Sequence, residues 1–525
     1  VFSGSIGVEN LEMVGLTQRF KAAFGSPNFF SVESICYRMR IRTRQITFGK
    51  YPTEELDSNL YILWGHNPEE SDFPLYLAIE ENLKRGAKLI VIDPKRIPLA
   101  DRAEMYLRIR PGTDGAMGLA MINVIINERL YDAEFVEKYT ANGTQNSRTF
   151  SVLQVITGNI NNPGSWVISP RLKLGNVGME VEGEPLGADQ YPLFYEVWGR
   201  KSPYGVVTCV PESVPEKIKA FFVIGGNPLI SMPDSNAFKA AFKKLELLVV
   251  HDFFMTETGE LAHYLLPACS HLEKWGLAYT YNVCHCLPYL MLRKKAIDPF
   301  YESWSEWRFF TELAKKLGIG DQFPWKSEEE LVAFELGPTG LTFKQLLEEK
   351  PEGAFYQQKQ YGMKEGKFST PTGKIEIYSE AIERVGFDPL PTYLEPRKSP
   401  LSTPELLEKY PLILSTGNRN LYYTHGQFRR VKSLKEKSPE PKAEIGTKTA
   451  LKYGIKEGDE ILIETNRGVV RMKAHINERV GEGIVLVPHG WPGNSNANLL
   501  TDTTCREPIM GYPDMKSLLC SIRKL

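Results

Sequence analysis

The stretch VESICYRMRIRTRQITFGK, residues 32–50, sets one thiol beside a run of cations. Cys36 is followed by Arg38, Arg40, Arg42 and Arg44, one at every second position. Nearby positive charge favours the ionised form of a thiol, so this spacing predicts a Cys36 with a lowered pKa and thiolate character. A thiolate serves as a nucleophile, a redox group or a ligand for a soft metal. The outer two cations, Arg42 and Arg44, read as a solvated face.

A second chemical pattern occurs twice. In NLYILWGHNPEESDFPLYLAIEENLKRGAKLIVIDP, residues 59–94, an apolar strand ends in Gly65-His66-Asn67-Pro68, a helix follows, and a second strand ends at Asp93. In KAFFVIGGNPLISMPDSNAFKAAFKKLELLVVHD, residues 219–252, the same order runs through Gly225-Gly226-Asn227-Pro228 to Asp252. Asn67 and Asp93 are 26 positions apart, and Asn227 and Asp252 are 25 apart. Parallel α/β units bind ligands beyond the carboxyl ends of their strands. There a glycine lets the backbone approach a phosphate, and a helix N-terminus offers it free N–H groups. The terminal Asp suits ribose hydroxyls or a purine edge. A matched pair implies two related ligands, or two halves of one.

Past Asp93, Arg110-Pro111-Gly112-Thr113-Asp114 forms a turn into an apolar helix. Thr113 or Asp114 is placed to cap that helix. Alternatively, the Asp114 carboxylate accepts from the N1 and N2 edge of a guanine.

These residues need a large scaffold. At 525 residues, 42% hydrophobic and with 43 glycines, the chain implies roughly three or four well-packed domains. A formal net charge of −1 gives no pull toward nucleic acid or an anionic membrane. No apolar run approaches the roughly 18 residues of a membrane span. Seven cysteines, none in a C-x-x-C pair, make neither a disulfide framework nor an iron–sulfur ligand set. Cys284-His285-Cys286 lacks a second ligand pair and reads as packing. From Pro411 onward the pattern changes to short alternating strands, with DEILIETNRGVVRMKAHI folding back at Asn466-Arg467-Gly468, which predicts a small β-barrel. Trp304, Trp307 and Phe310 are spaced for the buried face of a helix.

Taken in order, LYILWGHNPEES, LIVIDPKRIPLADRAEMYLRIRPGTDGAM, FFVIGGNPLISMPD, LLVVHDFFMTETGELAHYLLPACSHLEKWG, TPTGKIEIYS, LILSTGNRNLYYTHGQ and GWPGNSNANLLTD resemble the molybdopterin oxidoreductases of the dimethyl sulfoxide reductase family. The resemblance implies a multi-domain α/β fold: parallel βαβ domains around a bis-pterin cofactor, plus a C-terminal double-psi-like β-barrel. It also implies two molybdopterin guanine dinucleotides on one Mo or W. Cys36 falls where the family places the metal's protein ligand. Gly65, Asn67, Ser71, Asp93, Arg96, Gly112, Thr113 and Asp114 would hold one dinucleotide, and Gly225, Asn227, Asp252 and Thr256 the other. Thr416, Gly417, Arg419, His425 and Asn498 would close over both from the barrel. The arginines after Cys36 would offset the anionic sulfur cage and pyrophosphates.

The expected organisation is a metal-ligand segment (1–54), a first half-site (55–140), a second half-site (141–300), a helical segment with linker (301–404) and the barrel (405–525). Two departures from the family pattern stand out. No cysteine run for a 4Fe-4S cluster is present, and EFVEKYTANGTQNSRTFSVLQVITGNINNPGSW joins blocks that the family separates by further helix-and-sheet sequence, with the break near Thr140 and Ala141. A Cys ligand argues against the Ser-ligated sulfoxide reductases, and Tyr37 after it weakens a formate dehydrogenase reading. The expected function is two-electron oxygen-atom or sulfur transfer on a small molecule or anion, with an iron–sulfur electron-transfer subunit as a possible partner. Two alternatives stay open. One is a non-redox tungsten hydratase of the acetylene hydratase kind, similar in GSPNFFSVESIC, QFPWK and LGPTG. The other is a metal-free structural subunit. Mo against W, the substrate and the compartment are left open.

Overall fold

The computed structural model describes residues 1–4, 11–141, 146–168, 172–279, 286–356, 361–362 and 368–525. Cys284 and His285 lie outside these, while Cys286 is buried.

The N-terminal segment contributes β1 (Phe2–Ser3), α1 (Leu11–Ala23), β2 (Phe30–Ser31) and α2 (Arg38–Phe48). The first unit follows as β3 (Leu60–Trp64), the short helix α3 (Pro68–Ser71), α4 (Phe73–Lys84), β4 (Lys88–Ile92) and β5 (Met105–Leu107). Helices α5 (Asp114–Asn127) and α6 (Asn146–Ile156) come next. The second unit repeats the order of the first: β6 (Ala220–Ile224), α7 (Pro228–Ser231), α8 (Ser235–Phe242), β7 (Leu247–Asp252) and β8 (Tyr264–Pro267). Helix α9 (Glu306–Lys316) buries Phe309 and Phe310; of the three aromatics expected on its buried face, Phe310 is buried, Trp307 is half-buried and Trp304 precedes the helix.

Both units are parallel sheets. The first runs β3-β4-β5, and the second runs β8-β7-β6-β1-β2. Segment 1–54 thus adds two strands to the second sheet, and Cys36 lies just past the carboxyl end of β2. Phe30, Phe221, Val223, Phe238 and Val250 close the core of the second unit. Tyr61, Leu63, Ile79, Leu89 and Val91 do so in the first. Parallel sheets are ordinarily covered on both faces. Here Leu60, Ile62 and Met105 are 46%, 40% and 50% exposed, so one face of the first sheet is bare. This is the unit whose sequence runs straight from Thr140 into Ala141.

The C-terminal strands β9 (Leu412–Asn418), β10 (Lys442–Ile445), β11 (Glu460–Glu464), β12 (Val469–Ile476), β13 (Ile484–Pro488) and β14 (Leu518–Lys524) close into a six-stranded barrel. Alternate residues of β11 and β12, such as Ile461, Ile463, Val470 and Met472, fill its interior. The barrel grips both units. Arg479 pairs with Asp101 at 2.6 Å in the first. Asn496 Nδ2 and Asn498 Nδ2 donate to the Leu229 and Ile230 carbonyls of α7 at 3.0 and 2.6 Å in the second.

Candidate functional site

The two turns share one hydrogen-bond pattern. Gly65 and Gly225 adopt φ of +59° and +57°, a left-handed conformation that glycine enters without strain. Each donates its N–H to the second strand, Gly65 to Ile92 O and Gly225 to His251 O, both at 2.9 Å. Ser71 Oγ then closes on Asn67 O at 2.7 Å, and Ser231 Oγ on Asn227 O at 3.0 Å. Asp93 accepts from Lys95 N and Asp252 from Phe254 N, at 2.8 and 3.0 Å. Burial pushes both carboxyls up to about 6.

The asparagine side chains differ. Asn227 Nδ2 donates to Glu257, and its Oδ1 accepts from the N–H and hydroxyl of Thr258. Asn67 Oδ1 is buried with no hydrogen-bond partner. In the second unit Thr256 Oγ1 accepts from Gly259 N at 3.1 Å and shapes the loop after Asp252.

At the first unit's edge, Thr113 stands at the start of α5 but does not cap it. Its hydroxyl donates backward to Arg110 O at 2.7 Å, which corrects the capping expectation. Asp114 is not a cap either: its Oδ1 accepts from the Trp64 indole N–H at 2.9 Å. Gly112 packs under the linker, where Tyr393 OH donates to its carbonyl. Arg96 pairs with Asp101 at 2.8 Å and lies over the Tyr106 ring.

Cys36 follows a short 3₁₀ turn, Val32–Ile35, and precedes α2. Because Arg38 to Arg44 lie on a helix, their alternation distributes them around it instead of along one face. Arg38 pairs with Glu33 and lies over Tyr204. Arg42 and Arg44 are buried, not solvated as expected. Arg42 donates to Phe194 O and Tyr195 O at 2.9 and 2.8 Å. Arg44 donates to Pro52 O, pairs with Glu54 and stacks on Trp166 at 3.6 Å. Arg40 adds its charge to the Cys36 field in the direction expected.

The thiol pKa is also corrected. Cys36 is reached by solvent but enclosed by protein, and burial raises its pKa above the usual thiol value. Arg419, Arg40 and Lys516 oppose that rise, while Glu33 adds to it. Two of those three cations come from the barrel.

Arg419 also donates to His425 Nε2 at 2.8 Å, and His425 Nδ1 lies 3.0 Å from His489 Nδ1. Asn498 Nδ2 is 3.1 Å from His489 Nε2. Burial, reinforced by the neighbouring cations, pushes His425 down to about 3 and His489 to about 4. Thr416 is buried, with its hydroxyl on Met515 O at 2.8 Å and its carbonyl taken by Lys516. Gly417 stands against the same ammonium, where a Cβ would meet Nζ at 2.6 Å. Burial lowers Lys516 to about 8. The structure therefore gathers Cys36, Arg419, His425 and Asn498 with Arg40 of the arginine run, and adds Lys516 and His489, which sequence reasoning did not single out. His489 carried a weak signal, a polar residue at the end of an apolar strand in VLVPHGW. Lys516 carried none.

Residues 2–316 match the family model "Molybdopterin oxidoreductase", and residues 412–519 match "Molydopterin dinucleotide binding domain". The chain is 29% identical over 581 residues to the acetylene hydratase of Syntrophotalea acetylenica, covering 93% of this chain and 78% of that protein. It is 29% identical over 512 residues to the F420-dependent formate dehydrogenase subunit alpha of Methanocaldococcus jannaschii, covering 84% and 72%. Against the thiosulfate reductase molybdopterin-containing subunit of Salmonella typhimurium, identity is 24%, covering 92% and 75%. The solved structure of acetylene hydratase from Pelobacter acetylenicus superposes with a TM-score of 0.86 at 26% identity, covering 100% of this chain and 86% of that one.

Proposed function

The chain belongs to the molybdopterin oxidoreductase family, and on that premise we propose that it is the catalytic chain of a Mo- or W-dependent enzyme holding two pterin guanine dinucleotides. Its reaction is oxygen-atom or sulfur transfer on a small, preferentially anionic substrate. The observation that carries this reading is the matched pair of turns, Gly65 to Asp93 and Gly225 to Asp252, with Cys36 emerging from the same sheet as the second turn.

The residues fit a polyanionic dinucleotide cofactor. Asn67 Oδ1 is a buried acceptor with no partner, suited to a ligand N–H or hydroxyl. Asp93 and Asp252 accept from backbone N–H groups of the loops that follow them and keep acceptor capacity for ribose or a base. Arg40, Arg419 and Lys516 supply positive charge around Cys36, where dithiolene sulfurs, phosphates and an incoming anion need it. Cys36 would hold the metal, and the cofactor supplies the two-electron chemistry when bound. His425 and His489, both neutral near pH 7, orient as donors and acceptors without adding charge. From the barrel side, Asn498 ties the His489 ring to α7. The electrons would pass through an iron–sulfur partner chain.

A second reading is supported by the likeness to acetylene hydratase in both sequence and structure. In that reading the chain adds water to a small unsaturated substrate, and no electron acceptor is consumed.

The test is elemental analysis for Mo and W on the purified chain, with guanine released by acid. About one metal and about two guanines per chain are expected. A folded chain with neither would overturn the proposal. Turnover that consumes no electron acceptor would select the hydratase over the oxidoreductase.

A further inference from the structure

We propose that Glu33 and Arg38 are positioning residues for Cys36, closing a buried clasp across the thiol that fixes the place of its sulfur. The inference rests on the reading of Cys36 as metal ligand and adds the device that presents it.

Cys36 is the junction of two helical pieces. It ends the 3₁₀ turn Val32–Ile35 with φ −117° and ψ −91°, outside the helical region, and α2 starts two residues later. A junction free to swing would carry the thiol with it. Glu33 stands three residues before Cys36 and Arg38 two after, and their side chains pair. Both are almost closed to water, with 6% and 8% of the two side chains exposed. The main chain repeats the link, since the Cys36 N–H donates to Glu33 O at 3.2 Å.

Each arm of the clasp is anchored. On the turn side, Ser31 Oγ accepts from Glu33 N at 3.0 Å, and Ser34 Oγ accepts from Val207 N at 3.3 Å. On the helix side, the Arg38 guanidinium lies 4.7 Å from the centre of the Tyr204 ring and 5.9 Å from that of Phe194. Arg42, four residues on, holds the Phe194 and Tyr195 carbonyls. Residues four apart share a helix face, so both arginines work against one wall. Arg42 secures the helix there, and Arg38 links it back to the turn across the thiol.

A buried ion pair has little freedom, because parting it leaves two charges desolvated and uncompensated. It therefore holds the junction more tightly than the lone backbone hydrogen bond would. A metal ligand must meet its metal to within about 0.2 Å, so the sulfur needs a fixed place as well as the right chemistry.

The experiment measures amide hydrogen exchange across residues 32–37 in the full chain without cofactor. Glu33→Gln alone strands the Arg38 charge, so the variant used is Glu33→Gln with Arg38→Met, which removes one charge of each sign. Glu33→Gln with Arg38→Gln covers the case in which methionine packs poorly against Tyr204. Exchange in that segment should rise about tenfold, with the rest of the chain unchanged. Arg38→Lys keeps a cation for Glu33 and should stay within about twofold of the unsubstituted chain. In metal-loaded enzyme at equal metal content, the double variant should shift the paramagnetic resonance lines of the one-electron-reduced metal, and Arg38→Lys should keep them in place. Unchanged exchange in both double variants would overturn the clasp, and so would an acceleration by Arg38→Lys as large as theirs. Exchange is read without cofactor, so its failure counts against the clasp. Absence of metal from the unsubstituted chain is a separate result, and would overturn the ligand role of Cys36.

Discussion

Lys95 Nζ stands 2.9 Å from Glu444 Oε2, tying the loop beyond Asp93 in the first unit to strand β10 of the barrel. Glu444 also accepts from Asn418 Nδ2 and Asn477 Nδ2, so one carboxylate gathers donors from three segments. Burial opposes its ionisation, but Lys95 and these hydrogen bonds outweigh burial and hold the carboxyl below its ordinary range. Glu444→Ala strands a largely buried ammonium and should cost about 3–5 kcal/mol in urea denaturation. Because the folded pKa is depressed, this stabilisation is present above the ordinary carboxylate pKa and is lost as pH falls through the lowered value. The variant should lose that part of the acid dependence.

Arg42 makes a structural prediction where the sequence pattern suggested a chemical one. Arg42→Met leaves the Phe194 and Tyr195 carbonyls without their donor and should cost about 2–4 kcal/mol. Arg40→Met, at an exposed position, should change stability by only about 0.5 kcal/mol. Its effect should appear instead as faster loss of metal on dialysis. Equal destabilisation by both substitutions would contradict the division of roles described here.

The His425–His489 pair predicts a pH dependence in the cofactor-free chain. Burial and neighbouring cations lower the two imidazoles to about 3 and about 4, from an ordinary value of 6.5. The unfolded chain therefore binds protons that the folded one does not, and stability falls as pH drops from 6.5 toward 4. The slope should approach about 1.4 kcal/mol per pH unit for each histidine. His489→Asn should flatten it, as followed by melting temperature against pH.

Cys36→Ser tests the proposed metal ligand without disturbing the fold, because the thiol is exposed to solvent. Stability should stay within about 0.5 kcal/mol. Metal retention should fall about tenfold or more, with turnover falling alongside it. Retained metal at the wild-type level would remove Cys36 from its proposed role.

The parts legible in the chain were those governed by local rules. The repeated G-x-N-P turn announced itself because a left-handed glycine, a proline-led helix and a terminal Asp are each required within a short span, at Gly65–Asp93 and again at Gly225–Asp252. The barrel was legible for the same kind of reason, since period-two alternation through Glu460–Ile476 admits only a half-buried hairpin. The arginine run misled because a spacing of two describes a strand, whereas residues 38–48 fold as a helix that carries Arg42 and Arg44 into the interior.

Sequence alone therefore determined the element types, the doubling of the unit and the candidate thiol, all of which depend on neighbours within about thirty residues. Tertiary structure decided the environment of that thiol. The expected low pKa gave way to a raised one because desolvation depends on everything packed around Cys36. Two of the cations that oppose the rise, Arg419 and Lys516, arrive from nearly 400 residues or more away in the chain. That Asp114 accepts from an indole instead of capping α5 was likewise decided by Trp64, 50 residues upstream. Charge and hydrogen bonding act through space, and no spacing in the chain records which distant side chains the fold brings to them.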